Sequence, residues 1–241
     1  MQSALIRRVQ RAWAALAGVP VDSFAPTRPP WVVVSPASRI CPTGWVGMVE
    51  IDGSIVATAP SAHDAELAGD ALASSLAMHS WPEMLTQRLG TAQVLGPASL
   101  YYLDSDNDRL AYSHELMESV PATSTDLAQL LRCVDDEDAG ESGLASISSR
   151  AFVVRSEGVV ISAAGYRRWP SDIAHLSVLT AVSARGRGMA TRTAGAATAD
   201  AVRHLLLPQW RARPAASRRV AEHLGFQKLG WQLSFKLSGE P

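Results

Sequence analysis

The stretch His175–Gly195, HLSVLTAVSARGRGMATRTAG, joins an apolar run to a segment rich in small residues. The apolar run ends at Val182 and is typical of a buried strand, whereas residues 188–204 have the composition of a helix. Between the two lies Arg185-Gly186-Arg187-Gly188. The pattern therefore predicts a strand, a glycine-rich loop and a helix in direct succession.

This loop has the residue types that bind a phosphate group. A helix N-terminus leaves backbone N–H groups without partners and carries a partial positive charge. Glycine lets an anion approach those N–H groups closely, and arginine adds charged donors. Residues 183–191 therefore predict a pyrophosphate site. It differs from the two common nucleotide motifs, because both the Gly-x-Gly-x-x-Gly spacing and the Gly-Lys-Ser/Thr ending are missing.

The rest of the second half predicts an alternation of helices and strands. A helix capped by Ser124 precedes a hairpin that turns near Glu157-Gly158, and the strand that ends at Val182 follows. After the helix at residues 188–204 we expect a strand at 205–212, a short helix at 214–225 and a strand at 229–237. This order predicts an α/β protein whose mixed sheet is covered by helices.

The first half carries weaker patterns. Residues 31–60 predict strands with a turn at Asp52-Gly53, residues 62–80 predict a helix, and residues 92–104 predict a further strand. The amphipathic pattern of residues 1–25 favours a helix docked on its own protein over a secretory signal peptide.

Composition and charge argue against several function classes. The 241 residues carry a formal net charge of −1, so no overall field indicates binding to nucleic acid or to an anionic membrane. The acidic stretch at residues 134–143 is expected to be a solvated helix end or loop. No uncharged apolar stretch reaches the ~18 residues of a membrane-spanning helix. Cys41 and Cys133 lie far apart and the histidines lack metal-ligand spacing, so we predict no metal and a cytoplasmic location.

Two motifs resemble those that bind acyl-CoA in the GNAT superfamily of N-acetyltransferases. Arg185, Gly188 and Ala190 occupy the fixed positions of the first motif, Arg/Gln-x-x-Gly-x-Gly/Ala. The second motif is a short helix that ends in Leu-Gly-Phe, which is similar to residues 224–226. The resemblance covers roughly residues 120–237 and, with Trp210 before the second motif, is nearest to a subgroup that has an extra N-terminal region.

This resemblance implies an α+β type of α/β fold, with a mixed, mostly antiparallel, twisted sheet flanked by helices. It also implies an additional N-terminal α/β region at residues 1–110, interpreted as a degenerate GNAT-like half, and an N-acetyltransferase domain at residues 111–241. The implied function is transfer of an acyl group from acetyl-CoA, or another acyl-CoA, to an amine of a small molecule or to a protein amino group. A catalytically silent acyl-CoA-binding module, regulatory or a partner subunit, is the alternative, and a homodimer stays open.

The resemblance also implies where the cofactor lies. The strands on either side of the helix at residues 188–204 would splay apart, and Pro208 suits the second strand because a proline is tolerated where a ladder partner is missing. Pyrophosphate would lie on the N–H groups of residues 185–191, and pantetheine would pair with the backbone of residues 179–182. The expected cofactor-binding residues are Leu179, Thr180, Ala181, Val182, Arg185, Gly186, Arg187, Gly188, Met189, Ala190, Thr191, Arg213 and Ser217.

The catalytic groups are less clear from the sequence. Many family members use a tyrosine as general acid in the second motif, at the position of Ala221 here. Three other residues are candidates: Ser217 and Tyr166 near the cleft, and His175 as a general base. Each has a structural alternative, in which Ser217 is a helix-surface serine, Tyr166 a packing residue and His175 a structural histidine. A backbone N–H near residues 180–182 would polarise the thioester carbonyl. His114 and Glu115 belong either to the substrate pocket or, as we favour, to a solvated helix end.

Overall fold

The computed structural model describes residues 3–24, 31–73, 91–104 and 117–237. The chain forms two compact units, one of residues 1–100 with 228–241 and one of residues 101–227. The predicted domain boundary after residue 110 lies outside the described residues, and the division into domains stays a prediction.

The first unit combines a mixed sheet with helices. Its elements are α1 (Ala4–Ala17), β1 (Trp31–Val34), β2 (Val46–Ile51), β3 (Ser54–Ala59), α2 (Ala62–Ala73), most of β4 (Thr91–Tyr102) and most of β10 (Gln227–Leu237). The strands lie in the order β1-β3-β2-β10-β4, with β1 parallel to β3 and β2 antiparallel to both of its neighbours. The helix predicted at residues 62–80 is described as far as Ala73.

Local sequence explains the elements of this unit. Ser3 Oγ caps α1 by accepting the N–H of Ile6 at 3.2 Å, and the apolar stripe of the helix buries Val9 and Trp13. Asp52-Gly53 forms the turn between β2 and β3, with φ of 53° and 80°, as the sequence predicts. Among the described residues, no helix combines the length and the apolar character needed to cross a bilayer.

The second unit contains the sheet that positions the site. Its elements are the end of β4, β5 (Ser119–Val120), α3 (Thr125–Leu131), α4 (Asp136–Ser142), β6 (Ala151–Ser156), β7 (Val159–Trp169), β8 (Ile173–Thr180), α5 (Met189–Arg203), β9 (Leu207–Ala212) and α6 (Ala215–His223). From β9 the strand order is β9-β8-β7-β6-β5, and every pair except the parallel β8–β9 pair is antiparallel. A mixed, largely antiparallel sheet flanked by helices confirms the predicted fold class.

The two faces of this sheet carry separate cores. Because neighbouring residues of a strand point to opposite faces, Ala164 packs in one cluster with Ala194 and Ala197 of α5, whereas Ala163 packs in another with Leu127 of α3. The small side chains of α5 pack in the first of these clusters, so the helix lies against the sheet. The glycine-rich loop joins the end of β8 to the first residue of this helix.

Candidate active site

A gap between β8 and β9 is the centre of the candidate site. The two strands pair in parallel from Ile173 with Leu207 to His175 with Gln209, and both then continue, to Thr180 and Ala212, beyond that pairing. A cavity of about 800 Å³ lies here and is lined by residues of both unpaired strand ends, Val178, Leu179, Thr180, Trp210 and Arg211. The predicted separation of the strands is therefore present.

Pro208 does not mark the separated part of β9, contrary to its predicted role. It pairs in register with Ala174, and its carbonyl accepts the N–H of Leu103 at 3.2 Å. The separation begins only after Gln209. Pro208 is tolerated because its missing N–H does not prevent its carbonyl from accepting a bond on the other side.

The N-terminus of α5 borders the cavity with open backbone donors. Gly186 and Gly188 have φ of 75° and 76°, a left-handed conformation that favours glycine. No side chain among the described residues caps the helix, and Arg192 donates the first helical bond, to the carbonyl of Gly188 at 3.1 Å. The N–H groups of residues 189–191, which line the cavity, therefore remain for a ligand.

The edge of β8 that faces the gap offers two further donors. The N–H of Ala181 donates to the carbonyl of Ile161 in β7 at 2.9 Å, so it is used within the sheet. Successive N–H groups of a strand point to opposite edges, and those of Thr180 and Val178 therefore point toward β9, where the pairing has ended. The N–H of Ala181 is therefore already used by Ile161, whereas the N–H of Thr180 points into the gap, and Val178 was not among the predicted residues.

Two predicted cofactor-binding arginines are paired with carboxylates of α4. Arg185 Nη2 lies 2.6 Å from Asp138 Oδ2, and Arg213 Nε lies 2.9 Å from Glu141 Oε2. The hydrogen bond that Arg213 donates to Glu141 raises the pKa of Arg213. The acidic stretch is therefore a helix that connects the loop after β8 to the segment after β9, rather than only a solvated end.

The cavity also contains cationic residues that sequence reasoning missed. Arg192 of α5 and Arg219 of α6 line it together with Arg185 and Arg211. Arg192 follows the glycine-rich loop within one helical turn, which is the signal that could have identified it. An excess of guanidinium groups over carboxylates suits an anionic ligand.

Ser217 of α6 lines the cavity and is held by a buried tryptophan. The indole Nε1–H of Trp210 donates to Ser217 Oγ at 2.9 Å, so the hydroxyl hydrogen of Ser217 points elsewhere. Trp210 itself packs edge-on against Phe226 at a centroid distance of 5.8 Å. Ala221, at the position of the usual tyrosine, is fully buried in the same cluster.

The family model of the GNAT acetyltransferases matches residues 148–230. These residues form a GNAT acetyltransferase domain. The matched segment contains β7, β8, α5, β9 and α6, which together form the gap and the helix N-terminus described above. A comparison with curated proteins gives no match.

Solved structures similar to this chain include several GNAT proteins. A putative GNAT acetyltransferase from Novosphingobium aromaticivorans is 19% identical with a TM-score of 0.49, over 62% of this chain and 67% of its own. An acetyltransferase of the GNAT family from Colwellia psychrerythraea is 16% identical with a TM-score of 0.46, over 68% of this chain and 63% of its own. A GCN5-related N-acetyltransferase from Kribbella flavida is 13% identical with a TM-score of 0.49, over 67% of this chain and 65% of its own. The chain thus spans about two thirds of the length of these proteins.

The predicted cofactor residues of the GNAT domain are mostly, but not all, at the cavity. Those that line it are Leu179, Thr180, Arg185, Gly186, Gly188, Met189, Ala190, Thr191 and Ser217. Ala181, Val182, Arg187 and Arg213 do not line it, although Arg213 is bonded to Glu141, which does. The roles of all these residues in binding stay predictions.

Tyr166 does not line the cavity, and its position is that of a packing residue. It lies on the α5 side of β7, buried with Ala197 and Leu176, and its hydroxyl donates to Asp200 Oδ2 at 2.8 Å. Burial, and then the hydrogen bond to Asp200, raise the pKa of Tyr166 to about 12. The geometry therefore gives no support to the predicted catalytic role of Tyr166.

His175 also lies outside the cavity lining. Its ring stacks on Trp169 at a centroid distance of 4.3 Å, and its Nδ1 contacts Gln209 Oε1. Burial, and then the charge of Arg211, lower the pKa of His175 to about 3. A group with this pKa is neutral at physiological pH and is a weak base, which argues against the predicted role as general base. His114 and Glu115 lie outside the described residues.

Proposed function

We propose that this protein is an acetyl-CoA-dependent N-acetyltransferase that acts on an amine of a small molecule or of a protein. The observation that carries the proposal is the gap between β8 and β9, which has the open N–H groups of α5 at one end. The GNAT family match of the same residues supports an acyltransferase. Acetyl-CoA as the donor and an amine as the acceptor belong to the proposal.

The cavity has the features that an acyl-CoA requires. A diphosphate fits the N–H groups of residues 189–191, since the left-handed glycines before them leave room and Arg185 and Arg192 add charge. An amide group of a pantetheine arm fits the gap-facing edge of β8 at Thr180, which lacks a strand partner there. When bound, the thioester supplies the activated acyl group.

Acyl transfer to an amine makes three demands on the protein. The amine has to be neutral, the carbonyl has to be polarised, and the leaving sulfur has to be stabilised as it gains charge. The N–H of Val178, the next gap-facing donor along β8 after Thr180, is fixed in the sheet and directed into the gap, so it can donate to the carbonyl oxygen. Such a donor needs no reorganisation during the reaction.

Ser217 is placed to donate a hydrogen bond to the leaving sulfur. Its oxygen already accepts from Trp210, which leaves its own hydrogen for another partner, and its side chain is at the cavity. A serine hydroxyl is a poor acid, so we assign it stabilisation of the sulfur, while the proton that the attacking amine loses passes through solvent water to the leaving thiolate. In this proposal Trp210 is a positioning residue for Ser217.

A silent acyl-CoA-binding module is the second candidate function. The observation in its favour is the fully buried Ala221 at the position of the usual general acid, together with the low pKa of His175. Both observations argue against catalysis, and neither concerns the residues that are expected to bind the cofactor.

A two-part experiment separates the candidates. The protein is incubated with acetyl-CoA and a panel of amines, amino acids, polyamines and lysine-containing peptides, while the release of free thiol is followed. Binding of CoA is measured in parallel by calorimetry. Thiol release that depends on the amine supports the transferase, whereas saturable CoA binding without turnover across the panel supports the silent module. Absence of CoA binding overturns both.

A further inference from the structure

Three buried hydroxyl groups connect the sheet to the beginning of α5. Ser162 of β7 and Thr180 of β8 are register partners, and their side-chain oxygens lie 2.8 Å apart. Ser162 Oγ also lies 3.2 Å from Thr193 Oγ1 of α5. Ser162 and Thr193 are fully buried. The three side chains therefore form a continuous hydrogen-bonded row, the hydroxyl chain, which runs from β8 through β7 to α5.

The hydrogens of the hydroxyl chain run in one direction. Thr193 Oγ1 lies 3.2 Å from the carbonyl oxygen of Met189 and 3.3 Å from that of Ala190. A carbonyl only accepts, and a hydroxyl has one hydrogen, so Thr193 donates to these carbonyls. Ser162 then donates to Thr193, and Thr180 donates to Ser162. The hydroxyl chain thus ends on the carbonyls of the first two residues of α5.

These two carbonyls belong to peptide groups that carry open donors. A peptide group is planar, so the carbonyl of one residue and the N–H of the next residue turn together. The carbonyl of Met189 is fixed to the N–H of Ala190, and the carbonyl of Ala190 is fixed to the N–H of Thr191. All three residues line the cavity, and neither N–H has a partner within the helix. The hydroxyl chain therefore holds, from the side of the sheet, the groups that are expected to face the diphosphate.

Thr193 is also the first buried anchor of α5. Residues 189–192 are at least partly exposed, and burial begins at Thr193. No side chain among the described residues caps the helix. Apolar side chains would suffice for packing here, whereas a buried hydroxyl is costly unless its hydrogen bonds are made. A chain in which every hydroxyl hydrogen has an acceptor favours one orientation of the first turn.

We propose that Ser162 and Thr193 are positioning residues, which hold the N–H groups of residues 190 and 191 toward the diphosphate of the acyl donor. This inference rests on the proposed acyl transfer and assigns further residues to its diphosphate site. A hydrogen bond to the carbonyl also polarises the peptide group, so the N–H at its other end is a stronger donor. The role concerns the diphosphate and not the thioester arm, which the gap-facing edge of β8 binds.

Two acyl donors separate this role from ordinary packing. Acetyl-CoA carries the diphosphate, whereas S-acetylpantetheine has the same thioester arm without it. Thr193→Val should lower kcat/KM for acetyl-CoA about fivefold, because the diphosphate meets donors that are less well oriented. The kcat/KM for S-acetylpantetheine should stay unchanged. Steady-state thiol release with one amine acceptor measures both constants.

Two further variants address the same hydroxyl chain. Ser162→Ala removes the middle hydroxyl from the sheet side and should cause the same selective loss with acetyl-CoA. Thr193→Ser keeps the hydroxyl on α5 and should recover most of the wild-type ratio of the two kcat/KM values. Thermal unfolding of each variant measures the loss of stability separately.

Thr198→Val is the matched control for Thr193→Val. Thr198 is also fully buried in α5, but its hydroxyl donates to the carbonyl of Ala194 within the helix, at 2.7 Å, and has no partner in the described part of the sheet. This control should keep the wild-type ratio. A wild-type ratio in Thr193→Val, or an equal fall for both acyl donors in that variant, would overturn the inference.

If the protein acetylates no amine, the proposed function fails and the positioning role is tested by binding alone. The same test applies if S-acetylpantetheine is not accepted. Inorganic pyrophosphate is then titrated calorimetrically into wild type, Thr193→Val and Thr198→Val. Binding that is weakened about fivefold in Thr193→Val alone supports the positioning role. Absence of pyrophosphate binding by wild type, or equal binding by the two variants, overturns it.

Discussion

Arg185 Nη2 lies 2.6 Å from Asp138 Oδ2, so the first arginine of the glycine-rich loop is held by a carboxylate of the protein. Both side chains are partly exposed, at 46% and 39%. Ion pairs at such positions contribute about 0–1 kcal/mol, because water and salt screen them. A diphosphate that binds at the N-terminus of α5 can therefore replace Asp138 as the partner of Arg185 at little cost.

Asp138→Asn should strengthen CoA binding. The substitution releases Arg185 and removes a negative charge beside the diphosphate, so we expect Kd to fall by up to about fivefold at low ionic strength. Calorimetric titration with CoA at about 20 mM and at about 500 mM salt measures the effect. The effect should shrink at the higher salt, because salt screens interactions between exposed charges. Asp136→Asn in the same helix is the control. Weaker CoA binding by Asp138→Asn would mean that Asp138 orients Arg185 for the ligand.

Gly188→Ala should weaken CoA binding at least about tenfold, because its Cβ would lie where the diphosphate approaches the N–H groups of α5. In the protein alone this Cβ meets open space, so the fold loses only the roughly 1–2 kcal/mol of a left-handed alanine. CoA titration and thermal unfolding measure the two effects separately.

Gly158→Ala is the matched control for Gly188→Ala. Gly158 has φ of 80° in the β6–β7 turn, and a Cβ there also meets open space. Both variants should lose similar stability, but only Gly188→Ala should lose affinity for CoA. Equal affinities in the two variants would refute the assignment of the diphosphate site.

The glycine-rich loop could be predicted from the sequence because its signals are local. The end of an apolar run, two glycines and the start of a helical period lie within one short stretch, so their order determines the position of the open N–H groups. The ion pairs of α4 could not be predicted in this way. Asp138 and Arg185 are 47 residues apart, and Glu141 and Arg213 are 72 apart, so only the fold brings them together.

The catalytic candidates show a second limit of prediction from sequence. His175 lies on β8, which borders the gap, and Tyr166 lies on β7, one strand further away. A strand pattern alone does not tell which face a tyrosine takes, how far its strand lies from the gap or where strand pairing ends. In the structure Tyr166 takes the α5 face, and His175 lies where β8 is still paired with β9. Ser217, which lies on a helix that borders the gap, is the candidate that reaches the cavity.

Ser217→Ala should lower kcat about tenfold and leave KM for acetyl-CoA unchanged. The loss corresponds to one hydrogen bond of about 1.4 kcal/mol to the leaving sulfur. Steady-state thiol release measures both constants, and Ser217→Thr, which keeps the hydroxyl, should recover most of the rate. Trp210→Phe should lower kcat in the same way, since it removes the donor that orients Ser217. Unchanged kcat in Ser217→Ala would exclude Ser217 from the reaction.

His175 should destabilise the fold in acid. The pKa of His175 is about 3 in the folded protein and 6.5 in the unfolded chain, so below pH 6.5 the imidazole takes up a proton when the protein unfolds. The free energy of unfolding therefore falls as the pH decreases toward 3. The contribution is roughly 1.4 kcal/mol for each pH unit in this window. Denaturant unfolding at several pH values should show a smaller decrease for His175→Gln than for wild type. Protonation of the His175 ring above pH 5, seen by NMR, would contradict the prediction.

Tyr166 should stabilise the fold up to strongly alkaline pH. Its folded pKa of about 12 exceeds the unfolded value of 10, so its contribution is fully present below pH 10 and is lost as the pH rises toward 12, by up to about 2.7 kcal/mol. Tyr166→Phe removes the hydroxyl that donates to Asp200 and should lower the free energy of unfolding already at pH 8. Denaturant unfolding at pH 8, 10 and 11 should show this difference from wild type shrinking with pH. A constant difference would mean that the ionisation of Tyr166 is not linked to folding, and a large loss of kcat at pH 8 would restore it as a catalytic candidate.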